Sequence, residues 1–131
     1  MNGQGSVASA RNLAQPQVQQ FLIYEALDEG PSLIFVADEE MRYVAVNQTA
    51  CRTLGYTREE LLSLAVTDVA VDVEAPRIYD DMLRARGHRG VSTIRAKDGR
   101  LLSLSYNASE VRVSGLPYWL SIGHIEGDSS S

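Results

Sequence analysis

The chain has 131 residues, 44% hydrophobic and 22% charged, enough for one modest core in an ordinary globular domain and unlike a fibrous or wholly disordered composition. A net charge of -5 and a pI near 4.9 argue against nucleic acid as a partner, because a phosphate-backbone binder needs a basic face. The single cysteine rules out an internal disulfide, and no apolar run reaches the length of a helical membrane span, which argues against a membrane role. The residues after Met1 are small and polar, with no basic stretch leading into an apolar one. No secretory signal is read, and a cytoplasmic location is expected.

Residues 1–12 and 127–131 have the Gly, Ser, Asn and Gln content of flexible ends. Residues 13–30 form a flanking segment in which Val18, Phe21, Leu22, Ala26 and Leu27 recur at helical spacings. The spacing predicts an amphipathic helix from Pro16 to about Glu29, with Pro16 in the first turn and Gly30-Pro31 as the stop. Residues 31–126 follow as the main domain. Two apolar runs, Leu33 to Asp38 and Tyr43 to Val46, joined by the polar link Glu39-Glu40-Met41-Arg42, read as a hairpin.

The next stretch is dictated by local chemistry. Asn47 is placed to cap a short helix by accepting from early backbone N–H groups, and Gly55 suits the left-handed position that ends one. Thr57-x-x-Glu60 is a capping box that opens a second helix. A longer helix is expected to start between Asp72 and Pro76 and to end by Gly87, since Ile78, Met82 and Ala85 share a face with Tyr79 and Leu83 beside them. Its acidic residues stand near the start and Arg84 and Arg86 near the end, as the helix dipole favours.

Three strands complete the pattern. Gly90 to Ala96 meets Arg100 to Val113 across Asp98-Gly99, a two-residue hairpin signal, and a second turn at Ser114-Gly115 leads to Leu116 to Glu126. In the middle strand Leu102, Leu104, Tyr106 and Ala108 alternate with Ser103, Ser105, Asn107 and Ser109, which gives one apolar and one polar face. In the last strand Leu120, Ile122 and His124 alternate with Trp119, Ser121 and Gly123. The fold class is therefore α+β, a five-stranded antiparallel sheet with short helices on one face and an N-terminal amphipathic helix.

Over roughly residues 32–126 this order resembles the PAS domain family. That family carries an Asp at the end of its first strand, an Asn opening the helix after the second, a hydrophobic-Gly-Tyr-Ser/Thr-x-x-Glu-Leu turn, and a later Lys-Asp-Gly hairpin turn. Here these are Asp38, Asn47, Leu54-Gly55-Tyr56-Thr57-x-x-Glu60-Leu61 and Lys97-Asp98-Gly99. The chain departs from the family at its end, with His124-Ile125-Glu126 where relatives often have Asp-Ile-Thr.

The resemblance implies a cavity between sheet and helices that holds a cofactor or small metabolite, or is filled by side chains. Alternation and resemblance together place Phe35, Ala37, Ile78, Tyr79, Met82, Ser92, Ile94, Leu104, Tyr106, Leu120 and Ile122 at that ligand site. The aliphatic members equally suit plain core packing. A buried tyrosine hydroxyl needs a partner, so Tyr79 and Tyr106 either anchor a ligand or bond the backbone.

Haem-binding relatives use a His on the long helix. Residues 72–87 contain none, and His88 is read as a solvated residue of the Gly87-His-Arg-Gly90 turn. Flavin-binding relatives place a reactive Cys within Asn-Cys-Arg-Phe-Leu-Gln, after the second short helix. Cys51-Arg52 lies in the preceding helix, and Ile94, Leu104 and Ile122 stand where flavin readers need amides. Haem and flavin are therefore not expected, and Cys51 is read as a small buried hydrophobe.

No spacing ties Cys51, His88 and His124 into a nucleophile and base, and no Gly-x-Ser-x-Gly, His-Glu-x-x-His, zinc or phosphate-loop pattern occurs. Neither a catalytic nor a metal site is expected. What the resemblance implies is a sensory or regulatory domain of a bacterial-type signalling protein. It would bind a small organic ligand and pass the signal to an output partner, namely a kinase, cyclase or transcription regulator. It would be a homodimer in which Val18, Phe21, Leu22 and Leu27 of the N-terminal helix cover the sheet's outer face or its copy in a second subunit. The alternative is a ligand-free interaction and dimerisation module.

Overall fold

A computed structural model describes residues 13–71 and 87–126. In chain order the elements are α1 (Pro16–Asp28), β1 (Leu33–Ala37), β2 (Tyr43–Val46), α2 (Gln48–Leu54), α3 (Arg58–Leu61), α4 (Val66–Val69), β3 (Gly87–Arg95), β4 (Leu101–Val113) and β5 (Leu116–Glu126). The strands form one five-stranded sheet in the order β2-β1-β5-β4-β3, with every pairing antiparallel. The expected long helix lies outside the described residues, and so do Ile78, Tyr79 and Met82.

The two short helices form where the caps require. The Asn47 side chain accepts from the backbone N–H of Ala50 at 3.0 Å and opens α2, while Gly55, at φ 81°, closes it in the left-handed region. In α3 the capping box is complete. Glu60 N–H donates to Thr57 Oγ1 at 3.1 Å, and Thr57 N–H donates to Glu60 Oε1 at 2.9 Å. A Cβ at Gly55 would meet only Lys97 Cβ, at an ordinary 3.8 Å, so space does not restrict this site and backbone conformation alone does. Gly55→Val is therefore expected to cost about 1–3 kcal/mol through φ strain, read as a lower urea midpoint at unchanged slope. A loss near zero would show that the joint tolerates a β-branched residue.

Turn chemistry sets the hairpins. The Asp38 side chain accepts from the N–H groups of Glu40 and Arg42 at 2.9 and 3.0 Å, which closes the β1–β2 link with Met41 at φ 63°. Burial pushes the Asp38 carboxyl up, but those two backbone donors and the Arg42 guanidinium outweigh it and hold the group below its ordinary value. The β3–β4 turn spans three residues where two were expected. Ala96 N–H donates to Arg100 O, and Gly99 takes the positive φ of 96°, as in a bulged hairpin. Ser114 and Gly115, both at positive φ, make a two-residue turn that pairs Val113 with Leu116.

Strand β3 begins three residues before the expected Gly90. His88 is thus a strand residue and not part of a solvated turn: it pairs with Ala108, and its ring lies 5.8 Å from that of Tyr106. The contact with Tyr106 supplies an apolar surface that a free turn lacks. Helix α4 was not anticipated either. It is a single turn whose start is held by the Asp68 carboxylate accepting from Ala65 N–H at 2.8 Å.

The main core forms where α2, α3 and α4 meet the inner face of the sheet. Leu54 and Leu61 are fully buried there, with Ala50, Cys51, Val69, Phe35, Ile94 and Leu104 around them. Helix α1 stands apart from this core and buries none of its residues, so it does not cover its own sheet's outer face. Phe21, Leu22, Ile23 and Tyr24 are four consecutive apolar residues, which at 100° per residue spread around the helix instead of forming one stripe, and all four are exposed.

Candidate functional site

The inner face of the sheet carries residues in rows, because directly opposed residues share a face. One row runs His88, Ala108, Ser121; the next Gly90, Tyr106, Gly123; the next Ser92, Leu104, Ile125. A second, smaller core cluster of Ala37, Ala108 and Trp119 sits beside the main one, and Val66 and Tyr106 touch both. Among the described residues the two clusters share no buried member. Between them lies a cavity of about 80 Å³.

The sheet contributes Phe35, Ala37, Ser92, Ile94, Leu104, Tyr106, Ala108, Trp119 and Ser121 to its lining, together with Tyr43 from the edge strand. Met41 from the β1–β2 turn and Val66, Val69 and Ala70 from α4 and its exit close the other side. None of these described lining residues carries a charge. Among these described residues, side-chain polar character lies in the Ser92, Ser121, Tyr43 and Tyr106 hydroxyls and the Trp119 indole N–H.

The structure brings together Phe35, Ala37, Ser92, Ile94, Leu104 and Tyr106 of the residues expected at the site. Leu120 and Ile122 are corrected: both point to the opposite, outer face. Leu120 stands opposite Val36 and Ser109, and Ile122, which is 40% exposed, stands opposite Ile34 and Asn107. Trp119 and Ser121 take the inward positions instead. Both alternating sets of β5 contain large apolar residues, so alternation alone does not say which set faces in. The two-residue turn does. Counting back from Val113 and Leu116 pairs Ala108 with Ser121 and Tyr106 with Gly123, which puts Ser121 and Trp119 on the face of Tyr106. Gly123 is there because nothing larger fits: a Cβ would lie 2.4 Å from Ser105 O and 3.1 Å from Tyr106 Cα.

Cys51 does not reach this cavity. It is buried on α2, and burial raises its thiol above the ordinary value, with the Arg58 charge opposing, so little reactive thiolate forms. His124 is exposed on the outer face opposite Ser105. Among the described residues no group of three or more His, Cys, Asp or Glu could hold a metal ion, and no helix is long and apolar enough to cross a membrane.

Comparison with known proteins agrees with this geometry. The PAS domain family matches residues 31–130. The chain belongs to the PAS domain family, a family of sensory signalling modules. Its fold is similar to a PAS domain from a two-component sensor histidine kinase, with 17% identity, TM-score 0.76, and coverage of 86% of this chain and 100% of that one. It is also similar to the PAS domain of an HTR-like protein from Haloarcula marismortui, with 18% identity, TM-score 0.76, and coverage of 88% and 98%. A domain of a sensory box sensor histidine kinase/response regulator from Geobacter sulfurreducens aligns at 23% identity and TM-score 0.71, covering 86% of this chain and 98% of that one. No curated protein matches the chain.

Proposed function

We propose that this PAS domain is a cytoplasmic sensor whose cavity takes a small, uncharged, largely apolar organic molecule and whose state is passed to an output partner such as a histidine kinase. The observation that carries the reading is the cavity walled by Phe35, Tyr43, Tyr106 and Trp119 with no charge among its described lining residues. Such a wall favours an apolar body with one or two hydrogen-bonding atoms and disfavours a carboxylate or phosphate, whose burial without a partner is costly. The volume of about 80 Å³ holds several waters or a fragment of a few heavy atoms, since one water needs roughly 10–15 Å³ and an apolar cavity of about 150 Å³ takes a benzene ring.

A second reading, a ligand-free interaction and dimerisation module, is favoured by a different observation. Phe21, Leu22, Ile23, Tyr24 and Leu27 are all exposed on α1, and such a surface calls for a partner. The two readings are compatible, with α1 joining two copies of the chain. Native mass spectrometry compared with the denatured mass tests both at once. The sensor reading expects added mass from a small molecule, or a fluorescence change of the lone Trp119 with one of a panel of neutral organic molecules of a few heavy atoms. Bare protein mass with no response of Trp119 would leave the packed module standing. The dimer expects twice the chain mass, falling to one chain when residues 1–29 are removed. A monomer throughout overturns it.

A further inference from the structure

Among the described residues Asn47 is the one polar residue that is buried, at 5% exposure. All four of its hydrogen-bonding positions are used. Its Oδ1 accepts from Ala50 N–H and Ile34 N–H, both at 3.0 Å, and its Nδ2 donates to Leu27 O at 2.7 Å and Ser32 O at 2.8 Å. The orientation of the amide is unambiguous, because two partners are donors and two are acceptors. Only the Ala50 bond is needed to cap α2. The bond to Leu27 O serves α1, giving a carbonyl of its last turn a side-chain partner beside the C-cap backbone donors, Gly30 N–H at 3.4 Å among them.

The two residues after Asn47 reach the same place. Asp28 Oδ1 accepts from Gln48 N–H at 2.9 Å and from Arg58 Nη2 at 2.6 Å, and Thr49 Oγ1 donates to Gly30 O at 2.5 Å. Helix α1 buries no residue, so its direction relative to the sheet rests on these polar bonds and not on packing. The other face of α2 belongs to the core, where Ala50, Cys51 and Leu54 pack in one cluster with the cavity residues Phe35, Val69 and Ile94. One short helix therefore touches the core on one side and holds α1 on the other.

We infer that Asn47 is a positioning residue through which the core sets the direction of α1: its carboxamide latches the last turn of α1 to the first turn of α2, so that a shift of α2 redirects the flanking helix. This holds whether or not the cavity is occupied. The test is Asn47→Asp in the full chain. The substitution keeps the shape and the two accepted bonds, and so keeps the α2 cap, but it sets an acceptor oxygen against Leu27 O and Ser32 O. The readout is the distance distribution between spin labels at the exposed positions Gln20 on α1 and Ser103 on the sheet, alongside the thermal midpoint.

The expected result is a single narrow distribution in the parent chain that Asn47→Asp replaces with a broad one while the unfolding transition remains cooperative. Identical distributions would overturn the inference, leaving Asn47 as a cap for α2 alone. Should Asn47→Asp fail to fold, Asn47→Ser is read the same way. A serine hydroxyl still caps α2 but has no amide to donate to Leu27 O and Ser32 O, and a parent-like distribution there overturns the inference as well.

Discussion

Trp119→Ala is expected to destabilise the protein by about 3–5 kcal/mol, the usual cost of truncating a buried aromatic. The indole is 7% exposed and anchors the smaller core cluster, with Ala37 and Ala108 as its buried neighbours. Those two neighbours carry only methyl groups and cannot extend into the space the ring leaves, which keeps the cavity term large. Against a total of about 5–15 kcal/mol for a domain this size, that is a large share of the stability. Urea unfolding followed by far-UV circular dichroism measures it, because the variant lacks the lone tryptophan. The enlarged cavity should then accept indole or benzene, raising the thermal midpoint of the variant more than that of the parent. A loss below about 1 kcal/mol, or equal response of both proteins to indole, would show that Trp119 does not wall the cavity.

Leu54→Ala should cost about 2–5 kcal/mol, for a different reason. Leu54 is fully buried at the end of α2, next to the left-handed Gly55, and its carbonyl accepts from Lys97 N–H at 2.8 Å. The helix is thereby held to the β3–β4 turn at this point, which limits its freedom to close the gap left by a shorter side chain. Leu62→Ala is the control. Leu62, which is 39% exposed, follows the buried Leu61, and truncation there is expected to cost no more than about 0.5 kcal/mol. Equal losses at the two leucines would mean that α2 and α3 are not packed as described.

Asn47, Gly55, Thr57 and Glu60 were all legible because each acts on backbone three or four residues away, and a cap needs nothing beyond that distance. The same holds for Asp38 and for the Ser114-Gly115 turn. Where a prediction depended on a distant partner, it reached less far. The alternation of β5 was evident but its inward face was not, since Leu120 and Ile122 look as apolar as their neighbours until pairing with β1 and β4 assigns Trp119 and Ser121 to the cavity. His88 looked like a turn residue because its stabilising contact, the ring of Tyr106, lies far along the chain.

The sequence by itself determined the order of the five strands and the first three helices, the joint between the short helices, and the Ser114-Gly115 turn, since these follow from propensity, capping and φ preference acting over a few residues. Only the tertiary structure decided which side of β5 meets the core, where two clusters of described residues flank a cavity, and that α1 leaves its apolar residues uncovered. It also gave the Asn47 amide its other duties, on Leu27 and Ser32, which lie 20 and 15 residues away. A hydrogen-bond donor at that separation carries no local signature, because its partner exists only once the chain has folded back on itself.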